Sequence, residues 1–572
     1  MKSAVATDTE GIVYSSSVYH WAGDGEGTLF LSPNPRREYD TPQTSWRWTG
    51  DTIIQGLLEQ YARVYPNLRA HAPGYPSPRE LLSRTKLGNV DFEGEMSHDT
   101  AGSDLIERLL LDDDPRPLYL QAWGGTNTIA RALRSIQDRY AGTPQWQRVY
   151  DKVSAKAVIV AGGFQDLTYT GYIAPNWPKL QVRDVSGGYG AWGYYFEGQS
   201  PVPQQWQYYF GADWTRKNIL DVGPLGAQYF VWGDGRSTPG DPLDTFGDLS
   251  NPPKWLPARK KHDFLSEGDT VAFMNLIDTG LRSEPDPTWG GWGGRLVRQT
   301  TAPNLWTSAP SDLGPGGKAI GSYGWTRWIP AAQNDFAARL KWSVTPPGRP
   351  VDHQPVVRPL TRDGQVRAGT TVTVCGLVYD PDGGPVAVRW SQYQDAGTFP
   401  GAVTITGADR RCAQVAVPAG ARSGRTIHLI LTATGSARTP LTHYGRVVLT
   451  VRRPGKRPCA RDRGRCRDRG RWREVPGRDR DLRRPRRVRG HGGPRRRRRR
   501  SHRGRAEQPA RPAVHVHAGA AAAHPAGPPH LRPPRRLRPH ARTAARPRPA
   551  PGTRAACPVR VRRRPGRLRT GV

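Results

Sequence analysis

Residues 118–133, with the sequence LYLQAWGGTNTIARAL, constrain the fold more than any other part of the chain. The alternating apolar residues 118–123 predict a strand, two glycines break it, and Thr126 or Asn127 is placed to cap a helix. Such a unit puts backbone N–H groups and polar side chains at the carboxyl end of a strand, where ligands bind in open α/β sheets. An ordinary strand-to-helix turn has the same pattern, so this motif alone defines only a candidate site.

The rest of residues 1–343 repeats this alternation of strands and helices. KAVIVA at 156–161 predicts a buried strand, and it ends in the glycine turn GGFQD at 162–166. A further helix is predicted from about 269 to 277. Strands that alternate with helices predict an α/β domain with a mainly parallel sheet.

Polar side chains at these strand and helix ends are the candidate site residues. Hydrolysis of a glycosyl bond needs one carboxylate to activate water and a second acid or other stabiliser for the leaving group. Asp99 and Asp269 are the candidate catalytic acids because each precedes a predicted helix and follows a polar turn. Gln165 and Glu267 are candidate substrate-binding residues. For any single one of these acids, a solvated loop charge or a helix N-cap is the more common role.

Tryptophan is concentrated outside the last part of the chain, since 18 of the 19 tryptophans precede residue 454. Aromatic faces on polar loops suit sugar rings or nucleobases, whereas tryptophans that anchor loops to a core have no such role. Five tryptophans are candidate stacking residues: Trp21, Trp46, Trp48, Trp123 and Trp192.

The region after the α/β domain predicts a second, smaller domain. Residues 344–359 are rich in proline and predict a linker, and about seven short alternating strands in 360–453 predict an immunoglobulin-like β-sandwich. Cys375 and Cys412 fall in two of these strands, where a disulfide and two buried thiols are equally compatible with the sequence. The α/β domain has no cysteine, which excludes a cysteine nucleophile or thiolate metal site there.

Residues 454–572 hold 39 Lys+Arg and 6 Asp+Glu, so most of the net charge of +36 belongs to this tail. The tail is predicted to be disordered. Its Arg, Pro, Gly, Ala and His mixture with a single Lys is typical of a GC-rich gene read out of frame, which we favour over an arm that binds nucleic acid. The near-neutral body predicts no nucleic-acid partner. No 18-residue apolar run predicts a membrane span, and the residues after Met1 do not form the apolar core of a signal peptide.

Several long segments resemble, in order, a bacterial family that has a nucleoside-hydrolase-like N-terminal domain and an Ig-like C-terminal domain and is described as cellulose-binding. The similar segments are IVYSSSVYHWAGDGEGT, TSWRWTGDTIIQ, DFEGEMSHDTAGSDLI, LDDDPRPLYLQAWGGTNTIARAL, GGFQDLTY and DFLSEGDTVAFMNLI.

This resemblance implies a ligand set. AWGGTNTIARAL is similar to the nucleoside hydrolases' second signature, which implies that Thr126 lies at a Ca²⁺ ion and Asn127 at the sugar. SEGDTVAFMNLI is similar to their last signature, which implies that Asp269 is a metal ligand with Glu267 close by. Nucleoside hydrolases open with a strand and an aspartate cluster, and this chain begins at the strand that follows. We therefore expect the first β-α unit and its main Ca²⁺ ligands to be missing.

The resemblance implies a secreted, carbohydrate-active protein that binds cellulose or another plant polysaccharide. Hydrolysis of a glycosyl bond with Ca²⁺ assistance is the implied activity, and the missing ligands are expected to weaken it in this chain. A non-catalytic polysaccharide-binding protein is the first alternative, and a ribonucleoside N-glycosidase is the second.

Overall fold

The structure is a computed structural model that describes residues 8–192, 202–236, 259–264, 267–452 and 513–517. Within these residues the chain forms strands β1 (Asp8–Tyr14), β2 (Thr85–Leu87), β3 (Leu118–Ala122), β4 (Ala157–Ala161), β5 (Gln181–Asp184), β6 (Leu296–Arg298), β7 (Leu305–Ser308), β8 (Ser311–Leu313), β9 (Ala319–Gly321), β10 (Val356–Pro359), β11 (Gly364–Arg367), β12 (Thr371–Tyr379), β13 (Val386–Gln392), β14 (Thr404–Thr406), β15 (Cys412–Ala416), β16 (Thr426–Gly435), β17 (Thr442–Arg452) and β18 (Ala513–His517).

The α-helices of the same residues range from single turns to five turns. They are α1 (Ile53–His71), α2 (Pro78–Ser83), α3 (Ala101–Leu111), α4 (Asn127–Tyr140), α5 (Trp146–Lys156), α6 (Ala174–Asn176), α7 (Tyr189–Trp192), α8 (Ala212–Thr215), α9 (Gly223–Gly226), α10 (Val271–Met274), α11 (Tyr323–Thr326) and α12 (Ile329–Val344). No helix in the described part of the chain is long and apolar enough to cross a membrane.

An eight-stranded sheet with the order β2-β1-β18-β3-β4-β5-β7-β6 organises the α/β domain. Its strands run parallel except β6, which pairs antiparallel with β7. All five residues of β3 and of β4 are buried, as expected for strands covered on both faces. The mainly parallel sheet agrees with the prediction from the sequence.

Alternate side chains of β3 enter two different cores. Leu118, Leu120 and Ala122 pack with the apolar faces of α3, α4 and α5 on one side of the sheet. Tyr119 packs on the other side with residues of β4 and α10. This alternation fixes the register of β3, and so it fixes where the turn after β3 emerges.

Two helix boundaries differ from the prediction for a local reason. The sequence of residues 103–111 predicts a helix capped by Ser103. The helix instead begins at Ala101, because Thr100 accepts the N–H of Ser103 and the Ser103 hydroxyl accepts the N–H of Thr100. The helix predicted over 269–277 is a 3-10 turn, Gly268–Thr270, followed by the single turn of α10. It ends there because the Asn275 side chain bonds to the backbone of the following glycine loop.

The C-terminal region consists of two four-stranded sheets that share one apolar core. Its first strand, β10, begins inside the segment predicted as linker, so the connection after α12 is shorter than predicted. Cys375 and Cys412 lie opposite each other on β12 and β15 and form a disulfide. Neither cysteine is buried, because both occupy outward positions of their strands, and two buried thiols are therefore excluded.

The sheet region contacts the α/β domain through buried polar groups. Tyr393 donates its hydroxyl to Asp312, 2.6 Å away, and Asp312 also accepts from Arg295. Arg446 donates to the carbonyls of Trp289 and Gly290. Its burial lowers the pKa of the Arg446 guanidinium to about 9. The contact between the two regions is therefore buried, and residues of both regions belong to one apolar core.

Candidate functional site

Three turns meet at the carboxyl ends of β1, β3 and β4. The N–H of Gly125 donates to the carbonyl of Ser16 at 2.8 Å, which joins the turn after β3 to the loop after β1. The N–H of Val18 donates to the carbonyl of Gln165 at 2.8 Å, which joins the same loop to the turn after β4. The structure therefore brings together the two glycine turns that the sequence singled out.

The buried side chain of Asn127 connects these turns by hydrogen bonds. Its side-chain Nδ2 lies within 2.9 Å of the Ser16 hydroxyl, the Asn89 carbonyl and the Glu95 carbonyl. The residue is fully buried, and its Oδ1 has no hydrogen-bond partner among the described residues. Asn127, which was predicted to bind the sugar, thus mainly holds three segments of the chain together.

Asp166 is the second residue that joins the turns; it is one of the acids that the sequence places at a strand end, but Asp99 and Asp269 were preferred to it. Its carboxylate accepts from the hydroxyl of Thr126, from the N–H of Asn127, and from both the N–H and the hydroxyl of Thr168. Burial raises the pKa of Asp166 even though these hydrogen bonds favour the ionised form. We call Ser16, Thr126, Asn127 and Asp166 the turn clamp.

Glycine is required where the turn clamp is tightest. A Cβ on Gly125 would lie 2.2 Å from Asp166 Oδ2 and 2.7 Å from the Ser16 carbonyl oxygen. On Gly124 the nearest atom would be the Ser15 hydroxyl at 3.3 Å. The first glycine of the pair therefore tolerates a side chain better than the second.

Two further acids near this edge are held by neighbouring donors. Glu93 accepts from the Ser32 hydroxyl at 2.6 Å and from the Asn34 amide at 3.2 Å, and burial raises its pKa. Burial also acts to raise the pKa of Glu95, but hydrogen bonds from Ser97 and Asn89 hold it below its ordinary value.

The predicted catalytic acid Asp99 does not join the turn clamp. Its carboxylate is paired with Arg131 Nε at 2.9 Å and accepts the hydroxyl of Ser135, and both partners lie on α4 beyond its first turn. The side chain is exposed on the outside of α3 and α4. Asp99 precedes a helix only because it lies in the loop that leads into α3.

The other predicted acids lie together on the 3-10 turn Gly268–Thr270 and the residue before it. Glu267 accepts hydrogen bonds from the Tyr229 hydroxyl and from Thr270, and burial raises its pKa. Asp269 lies near Tyr19, whose pKa is raised to about 12, mainly by burial and in small part by the Asp269 charge. Asp269 therefore faces the loop that follows β1.

Burial separates the predicted stacking tryptophans. Trp21 and Trp46 lie in an aromatic cluster with Tyr39, and Trp192 packs edge-on against Phe210. All three tryptophans are less than 9% exposed, so they offer no face to a sugar ring and their predicted role is wrong for this structure.

The remaining two tryptophans are partly exposed. Trp48 packs on the small apolar cluster at the start of α1. Trp123 follows β3 directly and stacks on Phe273 of α10 at 5.9 Å between ring centroids. Its indole N–H donates to the Gln121 side chain, and its carbonyl accepts from Gln165 Nε2 at 3.0 Å. Gln165 is thus buried beneath Trp123, where it orients the residue.

The Ca²⁺ site implied by the resemblance can be compared with these contacts. The Thr126 hydroxyl is bonded to Asp166 and Thr168, and the Thr126 carbonyl accepts the N–H of Ala130. Among the described residues, the group of three acidic or histidine side chains that converge consists of Asp91, Glu95 and His98, and it includes neither Thr126 nor Asp269. The described residues do not fit Ca²⁺ at Thr126 and Asp269, so no chemical step is assigned to a metal.

The fold is that of a nucleoside-hydrolase-related protein. A crystal structure of a nucleoside hydrolase-related hypothetical protein from Saccharophagus degradans, associated with carbohydrate metabolism, matches with a TM-score of 0.56 and 24% identity, over 77% of this chain and 92% of that one. The titin M3 domain covers 18% of this chain and 98% of its own at 18% identity, but its TM-score of 0.13 supports no conclusion. No curated protein matches the chain.

Two family models match. The model described as cellulose-binding Sde182, nucleoside hydrolase-like domain, matches residues 1–296. The model described as cellulose-binding protein Sde0182, C-terminal domain, matches residues 371–451. The chain belongs to this cellulose-binding, nucleoside-hydrolase-like family, as the resemblance in the sequence indicated.

Sequence reasoning found the turns and two of the residues that join them, Thr126 and Asn127, but it assigned those two to ligand binding and did not select Asp166 for the site. Asp166 closes the GGFQD turn, and that glycine turn at a strand end was the available signal. Phe273 carried no signal, because its contact with Trp123 joins segments 150 residues apart in the chain.

Proposed function

We propose that this protein binds cellulose or a related plant polysaccharide at the carboxyl end of its parallel sheet. The observation that carries the proposal is the position of Trp123, which is partly exposed at that edge and follows β3 without an intervening residue. Membership of the cellulose-binding family supports a polysaccharide as the ligand.

The contacts of Trp123 suit a sugar ring. Phe273 and Gln121 hold the indole in one orientation before any ligand arrives, and Gln165 holds the backbone carbonyl of Trp123, which lowers the entropic cost of binding. A pyranose ring offers an apolar C–H face to an aromatic ring and hydroxyl groups at its rim. The Gln121 Nε2 group next to the indole is buried and has no hydrogen-bond partner among the described residues.

Binding without hydrolysis is the form of this function that the turn clamp favours. The Asp166 carboxylate is saturated by four hydrogen bonds within the protein, and Asp99 is neutralised by Arg131 outside the clamp. A carboxylate that activates water needs an oxygen free to accept its proton. Asp166 and Asp99 therefore stabilise the fold and do not activate water.

Hydrolysis of a glycosyl bond is a second candidate function, because the raised pKa of Glu267 favours a protonated acid two residues from Asp269. In that case Glu267 would protonate the leaving oxygen and Asp269 would accept a proton from water. Calcium assistance stays a prediction from the resemblance.

We also propose that the protein is exported. The disulfide between Cys375 and Cys412 supports this proposal, because disulfides persist in oxidising compartments.

One experiment separates binding from hydrolysis. The full chain is incubated with microcrystalline cellulose and with xylan, and depletion from the supernatant and release of reducing sugar are measured in the same tubes. We expect depletion without sugar release. Sugar release that Glu267→Gln abolishes while depletion persists would establish the second function, and no depletion by either polysaccharide would refute the first.

A further inference from the structure

The interior of the parallel sheet contains a strand from a distant part of the chain. β18 lies between β1 and β3 and runs parallel to both. Val516 is the register partner of Ile12 on one side and of Gln121 on the other. The body from β1 to β17 therefore supplies seven of the eight strands, and one interior strand, the third in the order, comes from beyond residue 452.

A sheet cannot leave this position empty at low cost. Without a strand there, the facing edges of β1 and β3 would each present unpaired N–H and C=O groups. β3 is buried along its whole length, and Val13 and Tyr14 of β1 are 1% exposed. Unpaired backbone groups in such an interior cost about 1–3 kcal/mol each, so some strand must occupy the slot.

The sequence of the tail singles out the segment that can enter this slot. Residues 513–531 form a 19-residue stretch without Lys or Arg, although the tail as a whole holds 39 of them. The segment begins with AVHVH, in which β-branched valines recur with the period of a strand. The 60 residues 453–512 are far more than enough to span a domain, at about 3.3 Å each when extended.

We infer that the slot between β1 and β3 is a strand acceptor and that Ala513–His517 is its occupant. The tail then completes the sheet of the α/β domain as a parallel strand. This role was not expected from the sequence, which predicted disorder throughout 454–572. It does not depend on the proposed polysaccharide binding.

Hydrogen exchange on the full chain tests the occupant. Val516→Pro removes an N–H from the strand and is compared with Val561→Pro, the same change elsewhere in the tail. We expect amides in β1 and β3 to exchange at least tenfold faster in Val516→Pro and at the wild-type rate in Val561→Pro. Equal protection of β3 in both variants would overturn the inference, since another segment would then fill the slot.

A cross-link tests the register even if the proline variant fails to fold. Ile12→Cys with Val516→Cys places two cysteines on directly opposed residues of adjacent parallel strands. Ile12→Cys with Val514→Cys is two residues out of register and is the matched control. We expect the first pair to oxidise at least tenfold faster than the second, and equal rates would overturn the assignment. Both pairs are made in a background that replaces three tail cysteines by serine: Cys459, Cys466 and Cys557.

Discussion

Gly125 and Asp166 lie so close together that the position of each depends on the other. The carboxylate needs the N–H groups and hydroxyls of the two turns, and the glycine lets the carboxylate reach them. At the scale of the residue, Thr126 and Asn127, which were predicted to contact metal and sugar, use most of their hydrogen-bonding groups to hold the turns together. This leaves Trp48 and Trp123 as the predicted stacking residues that are partly exposed, and Trp123 is the one that directly follows β3.

Gly125→Ala is expected to destabilise the protein by roughly 1–3 kcal/mol, because the new methyl group overlaps Asp166 and the Ser16 carbonyl. Gly124→Ala is the matched control, since its Cβ meets nothing nearer than 3.3 Å. Chemical denaturation measures both. Equal losses of stability in the two variants would contradict the geometry of the turn clamp.

Glu93→Gln is expected to raise the Tm at pH 7. Burial raises the pKa of Glu93 above the ordinary 4.5, so the folded protein holds this proton more tightly than the unfolded chain does. Stability contributed by the protonated group is therefore lost as pH rises from about 4.5 through the folded pKa. Glutamine can keep the bonds to Ser32 and Asn34 without the charge, and its advantage should shrink at pH 4.

Glu59→Gln, on an exposed position of α1, is the control for this pH dependence. Its Tm should differ from the wild type by the same small amount at both pH values. A Glu93→Gln advantage in Tm that is absent at pH 7, or that grows at pH 4, would show that burial does not determine the pKa of the Glu93 carboxyl group.

At the scale of the element, patterns local in sequence predicted well and contacts between elements did not. β3 and β4 begin and end within a residue or two of the prediction, and α4 begins where it was predicted to begin, because apolar periodicity and glycine breaks lie within each segment. The helix around α10 was predicted too long, since its end is set by Asn275 bonding to a loop 18 residues away. The partners of Asp99 and Asp166 depend likewise on how α4 packs, which no local pattern contains.

Thr100→Ala is expected to destabilise the protein by about 1 kcal/mol, because it removes one half of the capping box of α3. Thr52→Ala is the matched control, because Thr52 precedes α1 without a side-chain capping bond. Urea denaturation compares the two variants. The capping assignment is wrong if Thr52→Ala costs as much as Thr100→Ala.

At the scale of the whole molecule, the α/β domain and the C-terminal sheets share buried polar contacts, so they are expected to unfold together. Tyr393 and Tyr444 pack with residues of the α/β domain in one apolar cluster, and Trp328 meets both rings edge-on. The two family models thus match regions that are joined by a common core.

Tyr393→Phe is expected to cost about 1.5–3 kcal/mol, because it removes the hydroxyl that donates to the buried Asp312 carboxylate. Calorimetry should show one transition, moved to a lower temperature. Tyr379→Phe, on an exposed outward position of β12, should leave the transition unchanged. Two separate transitions in the wild type would contradict a shared core.

The measurement that tests the proposed function most directly is the binding isotherm of the full chain on microcrystalline cellulose. Trp123→Ala should weaken binding at least tenfold, equivalent to about 1.4 kcal/mol, while the circular dichroism spectrum stays that of the wild type. Tyr379→Ala, which removes an exposed aromatic ring from the C-terminal sheets, should bind as the wild type does. Unchanged binding by Trp123→Ala, or a larger loss in Tyr379→Ala, would place the polysaccharide elsewhere and contradict the account.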